Sequence, residues 1–406
     1  MISEIQIENF KSISKLSLKP GNVTVLIGEN GSGKSNILEA ITFAAAASAN
    51  KLDDEFLYNR GIRVTEKDWM TSGLKSQVED CKNQQKYKGS PIVIKVVDSN
   101  ADIDLDLHIN RLKLPDPMSQ DEWLVEPQVT DSLKRKSETS YSYMQAMIST
   151  LDKNPAFAML SKGERERISL MEYAKYVAPA ISEELFLSDF LIFAPENSVL
   201  RRFEEEGAIK PLGPKGEGLL KLLEVMSIIS NGEFAAKLKS RLNLLGWFGD
   251  LQLPTEVDEM KGRLRIRDRW LSDDAPFFDQ RSANEGFLYL LFYFTLMLSP
   301  RTPRFFAIDN IDNALNPKLC AELMRQITVL AAEKGKQVIC TTHNPAILDG
   351  LNLHDDRQRL YVVRRDSEGH TIANRVQAPR PRPDGASVPL STAFMSGLLG
   401  GLPDHF

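Results

Sequence analysis

Residues 23–35 read VTVLIGENGSGKS, five residues apolar but for Thr24 running straight into Gly28-Glu29-Asn30-Gly31-Ser32-Gly33-Lys34-Ser35. The apolar run predicts a buried strand, and the alanine-rich segment from about Ser35 to Ala49 predicts a helix. Between them lies a complete GxxxxGKS. Its glycines let backbone N–H groups converge on phosphate oxygens, Lys34 neutralises the β/γ charge, and the Ser35 hydroxyl can ligate magnesium. Chance alone gives this pattern in a chain of 406 residues on the order of one per cent of the time. Its placement between strand and helix makes chance rarer still.

A second stretch supplies the other half of such a site. Residues 305–315, FFAIDNIDNAL, run four apolar residues into Asp309. An aspartate at the end of a buried strand is placed to hold the magnesium, directly or through water. Residues 340–345, CTTHNP, end another apolar strand, which puts His343 at the edge where open α/β sheets bind ligands.

Composition narrows the class. The net charge of −5 excludes a polycation, so any nucleic-acid surface must be local. The three cysteines, at 81, 320 and 340, form no CxxC, which argues against structural zinc and disulfides and fits a reducing cytosol. The start, MISEIQIENFKSI, lacks the apolar core of a signal peptide. The longest apolar run, 287–298, is about half the ~20 residues of a membrane span and reads as a buried helix. The expectation is a soluble cytoplasmic protein.

Along the chain, residues 2–7 and 13–18 alternate as antiparallel strands, and 92–97 with 102–110 read as a hairpin. Asp102, Asp104, Asp106 and His108 share one face of its second arm. That pattern reads as a solvated strand face rather than a metal site, since any half-exposed strand aligns residues two apart. Segments 141–151, 163–178, 216–229 and 233–245 read as helices, without the sustained heptads of a long coiled coil. Strand texture returns at 263–267, 304–308, 337–342 and 359–364, with a helix at 285–298. The tail, RPRPDG followed by STAFMSGLLGGLPDHF, is Pro/Gly-rich before a short apolar segment. It suits docking on a partner or packing on its own domain.

Taken together, these residues resemble the ABC-type ATPases of the SMC/RecF/Rad50-like group over about 1–110 and 260–365. ENFKS at 8–12 resembles the group's opening strand, where a basic residue, here Lys11, approaches the phosphates. GENGSGKS is similar to its usual P-loop wording, AIDNIDNALNP to its Walker B and D-loop run, and TTHNP to its switch histidine at His343. Asn284-Glu285-Gly286 stand where the signature motif precedes a long helix, without its usual serine and glycines. No Q-loop glutamine can be placed.

The resemblance implies an α/β, ABC/SMC-head-like P-loop fold with a mixed sheet and a mainly helical insertion. The boundaries read as 1–114 and 259–376 for the two halves of the head, 115–258 for the insertion and 377–406 for the tail. It implies ATP and Mg2+ as ligands. Lys11, Asn30, Gly31, Ser32, Gly33, Lys34, Ser35 and Asn36 would contact nucleotide, with Asn284, Glu285 and Gly286 covering it from a second subunit. Ser35 and Asp309 would hold the metal. In that group the residue after the aspartate is usually a glutamate that activates water; here it is Asn310, an amide that can only orient water. Asp312 and His343 are then the other catalytic candidates, and slow hydrolysis is expected. The partners implied are a second copy, as a homodimer or higher even-numbered homo-oligomer, and no membrane.

Within that group the chain most resembles short-insertion bacterial antiphage-defence ATPases, such as the ATPase subunits of Septu, PARIS and overcoming-lysogenisation-type systems. Only about forty residues follow position 365, too few for a nuclease domain, so an effector is expected on a separate chain. A RecF-like repair ATPase acting on DNA and a nucleotide-gated scaffold with little hydrolysis remain the alternatives. Arg263, Arg265, Arg267 and Arg269 alternate, which suits either a phosphate-backbone track or an exposed strand with acidic neighbours.

Overall fold

The computed structural model describes residues 1–63, 67–71, 90–112, 122–128, 162–202, 211–254, 263–272, 277–378 and 388–402. The segment 141–151, Cys81 and the RPRPDG stretch lie outside them.

The chain opens with a hairpin, β1 (Glu4–Phe10) and β2 (Ile13–Leu18), then enters β3 (Val23–Ile27), the P-loop and helix α1 (Lys34–Ser48). β4 (Ile92–Asp98), β5 (Ile103–Leu112) and β6 (Glu122–Pro127) join the hairpin in an antiparallel sheet of order β2-β1-β4-β5-β6. Helix α2 (Lys162–Glu184) leads to the two-residue strand β7 (Ile192–Phe193), and α3 (Leu219–Ile229) and α4 (Glu233–Leu242) follow. β8 (Phe248–Gln252), β9 (Arg265–Asp268) and β10 (Phe278–Asp279) make a small separate sheet. The chain closes through α5 (Glu285–Leu298), β11 (Phe305–Ile308), α6 (Pro317–Lys334), β12 (Gln337–Thr342), β13 (Gln358–Arg365), β14 (Thr371–Val376) and α7 (Leu390–Met395).

The third sheet is mixed, in the order β14-β13-β3-β12-β11-β7. Only β14 runs antiparallel to its neighbour. Strands buried on both faces read as unbroken apolar runs, and β3, β11 and β12 are buried at every residue. Alternation divides their side chains between two cores. Val25, Phe306, Cys340 and Val362 face one core with α3 to α6, while Leu26, Phe305, Ile339 and Val363 face the other with α1.

Helix α1 lies between the mixed and the antiparallel sheets, and 13 of its 15 residues are buried. A helix enclosed on both sides can carry no polar stripe, which accounts for its run of alanines. α5 is buried from Phe287 to Leu298 and roofs the opposite core. Buried Lys336 holds its C-terminal end: Nζ donates to the Leu296 carbonyl at 2.6 Å, the Ser299 carbonyl at 2.9 Å and Thr302 Oγ1 at 2.6 Å.

Strands β6, β7 and β8 fall within the stretch 115–258, whose texture reads as mainly helical, and they tie it to all three sheets. Helix α6 went unread in the sequence, although its apolar residues recur at helical spacing from Cys320 to Ala331 and its punctuation is complete. Asn316 accepts from Leu319 N at 3.0 Å as the N-cap, Pro317 occupies the first turn, and Gly335 closes the helix at φ 61. The tail packs on its own domain. Leu390 and Phe394 of α7 enter the core beside Leu360 and Val362, and Ser391 bonds both carboxylate oxygens of Asp349, at 3.0 and 2.6 Å.

Candidate nucleotide site

Parallel strands β3, β12, β11 and β7 end at one edge, and each delivers part of the site there. After β3 the P-loop turns into α1, whose N-cap is Gly33 at φ 104, with no side-chain cap. The first N–H groups of a helix have no partner inside it, so α1 presents free donors and its positive end to an anion. Lys34 is buried, and its ammonium donates to the Gly28 and Glu29 carbonyls, each at 2.9 Å. Burial pushes its pKa down to about 8, against the pull of Asp309, Asp312 and Glu29. Ser32 Oγ is buried with no hydrogen-bond partner. Uncapped helix, buried cation and orphaned hydroxyl together fit a phosphate chain.

The loop is braced from behind. Asn36 Nδ2 donates to Ser12 Oγ at 2.6 Å, Ser12 and Thr371 hydroxyls lie 2.7 Å apart, and Thr371 donates to the Ser32 carbonyl at 3.0 Å. With the Thr371 proton committed, Ser12 must be the donor between the two hydroxyls. Gly33 is required here, because a Cβ would stand 2.0 Å from Thr371 Oγ1. Arg365 Nε also donates to the Gly31 carbonyl at 3.0 Å.

The pair expected to hold the metal comes together across the edge, with Ser35 Oγ donating to Asp309 Oδ2 at 3.4 Å. A hydroxyl and a carboxylate beside a phosphate cradle are hard oxygen donors of the kind Mg2+ takes. Thr341, at the end of β12, donates to Asp309 Oδ1 and accepts from Asn310 N at 2.9 Å. One hydroxyl thus orients both residues. Asn310 sits at φ 54, in the left-handed region that Asn tolerates better than most residues. Asp312 Oδ1 accepts from Thr342 Oγ1 at 2.6 Å. His343 lies exposed beyond β12. Partial burial and then Lys34 hold its imidazole below the usual range, opposed by Asp312, Asp309 and the Gly28 backbone.

Besides Asn36, which bonds Ser12, two further expected nucleotide contacts have other partners. Lys11 Nζ donates to Glu39 Oε2 on α1 at 2.5 Å, and Glu39 also accepts from Arg63 Nε at 2.7 Å. Asn284 caps its own helix, accepting from Phe287 N at 2.8 Å, with Glu285 in the first turn and Gly286 packed near the Ala314 carbonyl. Asn30 remains in the P-loop between Glu29 and Gly31. On β5, Asp104 pairs with Lys95 at 3.6 Å and His108 with Asp106 at 3.5 Å.

A family model described as "AAA ATPase domain" matches residues 1–180. A second, described as "AAA domain, putative AbiEii toxin, Type IV TA system", matches residues 252–349. The fold aligns over 93% of this chain and 98% of the SmcHead solved bound to the C-winged helix domain of ScpA, with a TM-score of 0.54 and 14% identity. The chain has an ABC/SMC-head-like P-loop fold. It is 42% identical over 70 residues, 16% of its length, to the chromosome partition protein Smc of Methanocaldococcus jannaschii. It is 42% identical over 55 residues, 13% of its length, to the DNA replication and repair protein RecF of Bacillus thuringiensis. These stretches cover 6% and 15% of the two relatives.

Several residues around this candidate site escaped sequence reasoning. Thr341 and Thr342 stand two and one residues before His343, and Thr371 and Arg365 brace the P-loop from the β13–β14 hairpin. β7 hands over to a loop at the site's edge, for Asp309 N donates to the Phe193 carbonyl at 2.8 Å. From that loop Arg201 donates to Asn197 Oδ1 at 3.0 Å and to the carbonyls of Gln280, Arg281 and Ala283 at 3.1, 2.6 and 2.8 Å. It thereby holds the approach to Asn284. A two-residue strand has no periodicity to detect, which is why this loop could not be found from the sequence.

Proposed function

We propose that the chain binds ATP with Mg2+, closes as a dimer around it, hydrolyses it slowly, and passes the ATP-bound state to a separately encoded effector. The observation that carries this reading is the approach of Ser35 to Asp309 at the mouth of a braced P-loop, with an amide at position 310. Lys34 and the N-terminus of α1 would hold the β/γ-phosphates. Ser35 and Asp309 would hold the cation, which when bound neutralises charge developing on the phosphoryl oxygens. Asn310 can orient water but takes no proton. Acceptance of that proton falls to Asp312 or to neutral His343, and turnover is expected well below the enzyme median of roughly 10 per second. Asn284, Glu285 and Gly286, at the exposed start of α5, would cover the nucleotide of the second copy.

Antiphage defence, with a nuclease or toxin as effector, is the setting we infer. The likeness to short-insertion defence ATPases, in a sequence without the heptads of a long coiled coil, supports it, as does the toxin–antitoxin description of the model matching 252–349. A RecF-like role on DNA is the second reading, favoured by the RecF likeness and by β9, where Leu264 and Ile266 are buried while Arg263, Arg265 and Arg267 take the other face.

Turnover and solution mass with and without ATP test the proposal together. Slow turnover with an ATP-dependent doubling of mass is expected. Turnover equal to buffer with a stable ATP-bound assembly would replace the ATPase by a nucleotide-gated scaffold. An unchanged monomer would remove the dimer.

A further inference from the structure

A cleft of about 450 Å³ opens at the edge of the mixed sheet opposite the P-loop. Its walls come from the turn after α2, from Leu191 at the entry to β7, and from residues 300–304 that lead into β11. Three guanidinium groups, Arg60, Arg301 and Arg304, line it with a single carboxylate, Asp189, in a chain whose net charge is −5. Among the described residues neither Arg301 nor Arg304 has a carboxylate partner. Arg60 is anchored by Nη1, which donates to the Ser188 and Phe190 carbonyls at 2.8 and 3.0 Å, while its Nε is buried without a partner. A buried donor left unpaired is costly and calls for an acceptor.

The aromatic wall is built at a backbone cost. Phe186 stands at φ 55, a conformation uncommon for a bulky residue. The residue stays 37% exposed, with the Arg304 guanidinium 5.0 Å from its ring centre. Pro211, Pro300 and Pro303, with φ fixed by their rings, frame a rigid mouth.

We propose that this cleft binds a small phosphorylated molecule of about nucleotide size, its phosphate on Arg301, Arg304 and Arg60 and its flat apolar body against Phe186 and Leu212. The volume is that of small-ligand sites, which run from about 300 to 1,000 Å³. Guanidinium forks match phosphate oxygens two at a time. The framed cleft favours a small ligand over a polymer, which needs an open track. The site stands apart from the nucleotide site and does not depend on it. β11 spans the distance between them, running from Arg304 at the cleft to Asp309 at the metal-holding pair.

The test uses the full chain with Lys34→Ala, so that the P-loop no longer holds phosphates, titrated with inorganic pyrophosphate by calorimetry. Saturable one-to-one binding is expected, weakened at least tenfold by adding Arg301→Ala with Arg304→Ala and partly restored by lysine at both positions. Phe186→Gly, which relieves the positive φ, should weaken binding of a nucleoside monophosphate to the same Lys34→Ala chain while leaving pyrophosphate affinity and the melting temperature unlowered; equal affinity of both variants for the nucleoside monophosphate would remove the aromatic wall from the site. No saturable binding in the Lys34→Ala chain, or affinity indifferent to the two arginines, overturns the proposal. Arginine-dependent binding of a single-stranded oligonucleotide with none of pyrophosphate overturns it as well and assigns the cleft to nucleic acid. ATP binding by the unaltered chain is read separately, so a failed P-loop reading cannot be mistaken for a failed cleft.

Discussion

At the scale of single residues, Asn310 has two explanations that make different predictions. Its φ of 54 favours Asn over Glu on conformational grounds, while its amide removes the proton acceptor usual at that position. Asn310→Glu should therefore lower stability by about 1 kcal/mol, the cost of a left-handed non-Asn residue, and still raise turnover if the amide is the limitation. Melting and steady-state rates on one preparation separate these effects. Asp312→Asn should remove most residual turnover if that carboxylate takes the proton; survival of the rate would shift the role to His343. Lys34 gives a pH prediction. Its value falls from 10.5 to about 8 on folding, so between those limits the unfolded chain holds a proton that the folded chain has lost. Stability without nucleotide then rises with pH across that window. ATP binding needs the charged ammonium and should weaken above pH 8 by up to about tenfold per unit. Nucleotide affinity from pH 7 to 9.5 that does not change would contradict this.

Among elements, α5 and its cap carry the sharpest expectation. Burial pushes the Lys336 ammonium from 10.5 down to about 7, with Lys334 and Arg304 adding repulsion. The charged form is disfavoured in the fold, so this penalty is present below pH 7 and is relieved as pH rises towards 10.5. Relative to Lys336→Met, the unaltered protein should gain up to about 2 kcal/mol between pH 7 and pH 9. Denaturant unfolding of both proteins at the two pH values measures it, and parallel curves would refute it. Elements also differed in how readable they were. α5 shows in the sequence as an apolar run longer than a strand needs, and the structure gives the same bounds, 285–298. α6 was missed although Cys320, Leu323, Met324, Ile327, Leu330 and Ala331 recur at helical spacing and are fully buried, between an Asn-Pro start and a Gly335 stop.

Over the whole molecule, the tail binds the head to itself. α7 rests on the Pro345–Gly350 turn that follows His343, so the C-terminal segment supports the loop bearing that histidine. Phe394→Ala should cost about 3 kcal/mol as a large-to-small core change. Equilibrium unfolding tests this, and a cost near zero would mean that the tail leaves the core in solution.

The sequence by itself determined the P-loop, the strands on either side of it, the Asp309 strand and the His343 edge, because each is local. A buried strand, a glycine-rich turn and a helix start are specified by neighbours along the chain. It also determined that Asn310, not a carboxylate, follows Asp309. Only the tertiary structure decided which distant side chains brace those pieces. Thr371 lies 339 residues from the Ser32 carbonyl it supports, and Lys11 turned from phosphate to Glu39 through contacts made when α1 packed against the N-terminal hairpin. Such pairings follow from how two sheets close on one helix, and no window of neighbouring residues contains them.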